Sequence, residues 1–155
     1  MAKIIAAGLI GALIAGGAMF MIADDLMMLE DESRYGFEET VEEFYLAVEE
    51  GGWGVLNETD MQEVKAGHGF EVNPVKVFDL CSAEYSAEIL ELDDERIVSP
   101  MMPCRIAIYE KSNGNTYIAR MNSSLVARAF GGQINETMQV ASAETEEIIS
   151  DLIVD

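Results

Sequence analysis

The order of strand-like and helix-like segments predicts an α+β domain: an antiparallel β-sheet with helices packed on one side, carried behind a single N-terminal transmembrane helix. Three observations lead there. Residues 4–23, IIAAGLIGALIAGGAMFMIA, carry no charge. The rest of the chain reads β-α-β-(α)-β-α-β-β-α, which is not the βαβ alternation of a parallel sheet. Finally, two strand-like runs at 104–111 and 116–121 flank Asn113-Gly114, a dipeptide suited to a tight hairpin.

Composition bounds the function. Of 155 residues half are hydrophobic, so the chain can bury a core and is not a disordered one. Twenty-nine acidic residues against nine basic give a formal net charge of -20. That field repels a phosphate backbone, so no nucleic acid is expected as partner, and anionic headgroups are equally poor partners for the soluble part. The acids are spread along the chain, which suits a solvated surface better than one docking face.

Taken in order, residues 1–25 read as the anchor. Twenty helical residues span about 30 Å, the hydrocarbon thickness of a bilayer. Lys3 and the amino terminus precede the run and Asp24-Asp25 follow it. Positive charge stays inside, so the expected arrangement is a single-pass inner-membrane protein with a cytoplasmic N-terminus and a periplasmic domain. A cleaved signal peptide competes with this, because Gly16-Gly17-Ala18 resembles a cleavage site. The apolar run continues through Met19-Phe-Met-Ile22, which favours a retained anchor. Gly8, Ala12 and Gly16 share one helix face, the spacing that lets membrane helices pair, although small residues are common in such segments anyway.

Residues 26–33 read as a juxtamembrane linker and 34–155 as the domain. A short first strand is expected at 34–37. Thr40-Val-Glu-Glu43 matches a capping box. Val41, Phe44, Tyr45 and Val48 then follow at amphipathic-helix spacing, and Gly51-Gly52 ends the helix. A strand at 53–57 leads to a short helix capped by Thr59 or Asp60 and stopped near Gly67-His68-Gly69. The strand at 72–80 contains Pro74, which marks an edge or a beginning. Ser82 opens a helix with Tyr85, Ile89 and Leu92 inward, followed by a polar turn at 93–95. After the hairpin, Asn122 or Ser123 opens a helix with Leu125, Val126, Ala129 and Phe130 inward, closed by Gly131-Gly132. Residues 134–141 and 145–153 give one interrupted or two short final helices.

Several of these runs together resemble a known family. Thr40-Val-Glu-Glu43, Gly52-Trp-Gly-Val-Leu56, Val77-Phe-Asp-Leu-Cys81 and Met102-Pro-Cys104-Arg-Ile-Ala-Ile-Tyr109 resemble the domain-of-unknown-function family 302. Tyr117-Ile-Ala-Arg-Met-Asn122 and Phe130-Gly-Gly132 look like its membrane-anchored subgroup. The resemblance covers roughly residues 34–153 and rests on the order of several weak motifs. It implies a sheet of the TATA-binding-protein-like type, often dimeric, with no established activity. It also implies that Cys81 and Cys104 match recurring cysteines, and that a role beside respiratory or sulfur-oxidising membrane assemblies is the expectation by association.

The residues themselves offer little catalytic chemistry. One histidine and no GxSxG exclude triad logic, and Gly131-Gly132 lacks the lysine of a phosphate loop. The chain therefore reads as a non-enzymatic accessory or interaction domain, a homodimer or a subunit of a membrane complex. Cys81 and Cys104 are the only cysteines and allow packed thiols, a disulfide or a functional sulfur site. The sharper alternative is a soft-metal or redox site of Cys81, Cys104, Met101 and Met102, with His68 as the only imidazole. Thiolate and thioether donors select cuprous copper, and a thiol could instead carry sulfane sulfur.

Overall fold

A computed structural model describes residues 26–154. The expected membrane helix at 4–23 lies outside them, and among the described residues no helix is long and apolar enough to cross a membrane. Five strands form one antiparallel sheet: β1 Met28–Glu32, β2 Gly54–Asp60, β3 Val75–Cys81, β4 Cys104–Glu110 and β5 Thr116–Met121. Their order is β1-β5-β4-β3-β2. The helices are α1 Phe37–Glu50, α2 Met61–Ala66, α3 Ala83–Leu90, α4 Ser123–Ala127 and α5 Gly132–Ser150, with a 3₁₀ segment at Glu95–Met101.

The core lies between the inner strands and α1 with α5. Alternation along β3, β4 and β5 turns Phe78, Leu80, Ile106, Ile108 and Ile118 to one face, and all are fully buried. Helical spacing brings Val41, Phe44 and Val48 of α1 and Ile149 of α5 down onto them. The Phe44 and Phe78 rings lie 4.9 Å apart. Each such side chain contributes about 1.5–3 kcal/mol by leaving water. Where α1 meets α5 the backbone runs close: a Cβ on Gly51 would come within 2.6 Å of Ile148 Cγ1. Gly52 then takes a positive φ of 75° to turn into β2.

The other face carries no helix and covers itself. Val77, Ala107 and Ala119 are half-buried along its middle, adjacent in register across β3, β4 and β5. Around them Tyr109 and Tyr117 stack at 6.1 Å, and Lys111 Nζ sits 3.9 Å over the Tyr117 ring. Lys111 also donates to Glu30 at 2.6 Å, and Asn115 donates to Glu32 at 2.9 Å.

Several expectations need correction. The first strand is Met28–Glu32, inside the segment read as a linker, and not 34–37. Its acids hid it: β1 is an edge strand, and its carboxylates pair with Lys111 and Asn115 of the β4–β5 hairpin and with Arg120 of β5. Thr40 is not a cap. Helix α1 starts three residues earlier behind Gly36, and the buried Thr40 hydroxyl bonds back to the Gly36 carbonyl at 2.8 Å while lying 2.7 Å from Ser33 Oγ. Tyr45 stays partly exposed because its hydroxyl reaches Glu58 at 2.5 Å. Strand β3 begins just after Pro74 and is internal to the sheet. A 3₁₀ segment follows the polar turn, and α5 is one continuous helix. Leu92 and Phe130 are exposed, while Ala127 takes the buried place in α4. Asp60 and Asn122 do cap α2 and α4, accepting from Glu63 N and Leu125 N.

One buried cation ties the edge strand to the last helix. Arg120 of β5 is 6% exposed and binds Asp31 of β1 and Glu146 of α5. Burial pushes its guanidinium pKa down, but the hydrogen bonds and charges of Glu146 and Asp31 outweigh that, and the net shift is upward. Arg120→Met should cost about 2 kcal/mol, because the two half-exposed carboxylates can rehydrate but the charge-assisted bonds are lost. The expected result is a thermal midpoint about 8 °C lower, with the first protection lost at β1 in hydrogen exchange. An unchanged midpoint would show that the pair is not holding the edge.

Candidate functional site

The two cysteines meet because antiparallel neighbours bring one strand's end to the other's beginning. Cys81 is the last residue of β3 and Cys104 the first of β4. The register pairs Cys104 with Leu80, and Cys81 with Gly54 on the other side. Alternation directs Cys104 to the core face, and Cys81, where β3 gives way to α3, lines the same small cavity. Both thiols are free and half-buried. Cys81 Sγ lies 3.5 Å from the Ser82 carbonyl oxygen, to which it donates.

Between them lies a small cavity of about 30 Å³. Cys81, Cys104, Met102 and Met138 supply its sulfur, and Trp53 and Tyr85 form its aromatic wall. One carboxylate holds that wall: Glu144 of α5 accepts from Trp53 Nε1 at 3.1 Å and from the Tyr85 hydroxyl at 2.5 Å. The hydrogen bond to Glu144, then burial, pushes the Tyr85 pKa up to about 12, so the phenol stays a donor. The cavity has room for an atom or an ion. Burial first, and the charge of Cys81 second, raises the Cys104 thiol above its ordinary pKa. Cys104 is thus a protonated thiol at neutral pH, a poor nucleophile, though a metal ion could still displace its proton.

The sequence-expected ligands divide. Cys81, Cys104 and Met102 share this cavity, whereas Met101 lines the next one. His68 does not join them. It is exposed beyond α2, which follows Asp60, and Asp60 pairs with Lys76 near the far end of β3, about 17 Å of strand from Cys81. Among the described residues no group of three or more His, Cys, Asp or Glu side chains is placed to hold a metal ion, so the donors on offer are sulfur. Sequence reasoning missed Met138 and Glu144. Met138 was legible, since Ile134, Met138, Ala141 and Thr145 follow helical spacing on one stripe of α5. Glu144 was one acid among many.

A family model described as "Domain of unknown function DUF302" matches residues 29–153. This chain belongs to the DUF302 family. A crystal structure described as an uncharacterized conserved protein DUF302 from Bacillus stearothermophilus is similar to it, with a TM-score of 0.74 and 18% sequence identity. The match covers 82% of this chain and 98% of that one. At that identity the likeness speaks to fold, and the DUF302 fold here is α+β, a five-stranded antiparallel sheet with helices on one side. No curated protein matches the chain.

The raised Cys104 pKa generates a prediction for this DUF302 domain. Alkylation by iodoacetamide, followed by mass spectrometry, should be slow at Cys104 near neutral pH and accelerate only above the ordinary thiol range. Cys81→Ser should shift that profile downward by part of the difference, because burial remains. A Cys104 that reacts at neutral pH as fast as the unfolded chain would contradict the burial argument.

Proposed function

We propose that this DUF302 protein binds a soft monovalent cation, cuprous copper by chemistry, at Cys81 and Cys104. One observation carries the reading: two thiols and two thioethers, from Met102 and Met138, line one ion-sized, otherwise apolar cavity. Soft sulfur donors favour a soft, weakly hydrated cation over zinc or magnesium. The net charge of -20 raises the local concentration of any cation. Sulfane sulfur is the less supported ligand, because its transfer needs a ready thiolate and Cys104 is held protonated. Ion binding releases protons from the thiols instead, so affinity rises with pH.

Titration of the full chain in mild detergent with cuprous ion, against a competing chelator and without oxygen, tests this. Cys81→Ser with Cys104→Ser should weaken the pH-dependent binding about a hundredfold or more. Equal affinity in parent and variant would end the reading.

The protein's setting belongs to the same proposal: a tethered accessory domain, single-pass in the inner membrane with its domain in the periplasm, acting as a homodimer or as a subunit of a larger assembly. Its support is the uncharged run at 4–23, together with exposed Leu26, Met27 and Met28 where that run joins the sheet edge. Solubilisation in mild detergent should yield a species larger than a lone monomer, and protease added to spheroplasts should digest the domain. Recovery of the intact chain from the soluble cytosol would overturn the tether.

A further inference from the structure

Among the described residues the methionines gather at one margin of the core. The main core, built on Phe44, Phe78, Leu80, Ile106, Ile108 and Ile118, contains no methionine. Beside it a second cavity of about 30 Å³ is lined by Met101, Met102, Met121 and Met138, with Phe130 at its lip. Among the described methionines only Met27, Met28 and Met61 lie outside it. Met102 and Met138 also line the thiol cavity, so the two spaces share a thioether wall.

Exposure falls along this series. Met101 and Met121 are 41% and 42% exposed, whereas Met102 and Met138, like Cys81 and Cys104, are half-buried. Met101 and Met121 are therefore the residues of the series most open to solvent. Thioethers are neutral at every pH and bind cuprous or silver ion without losing a proton. Thiols must lose one.

We infer that the methionine cavity is a second soft-cation subsite, the outer station from which the ion passes to Cys81 and Cys104. Met101 and Met121 take the ion from solution, Met102 and Met138 are shared between stations, and the transfer exchanges thioether for thiolate donors with release of the thiol protons and no redox change. The inference rests on the soft-cation reading of the thiols, but its own donors are separate from them.

The test uses the full chain in detergent, with cuprous ion under exclusion of oxygen and silver ion as a redox-silent probe. Three proteins are compared: parent, Met101→Leu with Met121→Leu, and Cys81→Ser with Cys104→Ser. Leucine keeps the volume and apolarity of methionine, so packing is preserved, and a matching thermal melt confirms it. The parent should show a pH-independent class of binding beside the pH-dependent one. The methionine variant should lose the pH-independent class and load the thiols about tenfold more slowly. The cysteine variant should keep the pH-independent class.

A methionine variant with unchanged stoichiometry and loading rate overturns the subsite, as does a cysteine variant that binds nothing at all. That second result leaves the thiol site standing alone. The converse, pH-independent binding lost only in the methionine variant with no pH-dependent class in the parent, supports the subsite and removes the thiol reading.

Discussion

A sheet of five strands covered on one face can bury only what its inner strands turn inward. Here that set is Phe78, Leu80, Ile106, Ile108 and Ile118, and α1 and α5 exist to cover it. The period of two along a strand then allows a single register, since a slip by one residue would expose the whole set. Everything at the strand ends follows from that. Cys104 opposite Leu80, Cys81 one step past it, and α5 crossing above them are consequences of how the middle of the sheet packs.

The same constraint explains why the two ends of the sheet differ. At the β2–β3 end near Asp60 and Lys76, strands give way to a short capped helix and an exposed loop bearing His68. The cysteine end is roofed by α3, the 3₁₀ segment and α5, and its small cluster of Ile89, Val98 and Ile134 is completed by Met102 and Met138. Methionine has a flexible, polarisable side chain and fills irregular space without fixing it. An aliphatic centre that sets geometry thus adjoins a sulfur-rich margin that can adjust around a guest.

Much of this architecture was legible from residues alone. Asn113-Gly114 marked the hairpin because its glycine needs a positive φ, and Asp60 and Asn122 marked helix starts because their side chains satisfy free amides. Strand β1 was not legible, since Glu30, Asp31 and Glu32 look like a solvated tether until their partners on β4, β5 and the hairpin are known. Phe130 misled by periodicity, which assumes a buried stripe continues to the helix end. The site divided on the same principle. Neighbouring strand ends could be expected to bring Cys81 and Cys104 together, but nothing local showed that Met102 reaches the thiol cavity while Met101 does not, or that His68 belongs to the other end of the sheet.

The carboxylate shared by the indole of Trp53 and the phenol of Tyr85 has one more consequence. Trp53 is the only tryptophan in the chain, and it forms part of the cavity wall that the thiols complete. The molecule therefore carries its own optical gauge. Light emitted by that one ring reports on the space beside it, and a heavy, polarisable guest would dim it without any label being attached.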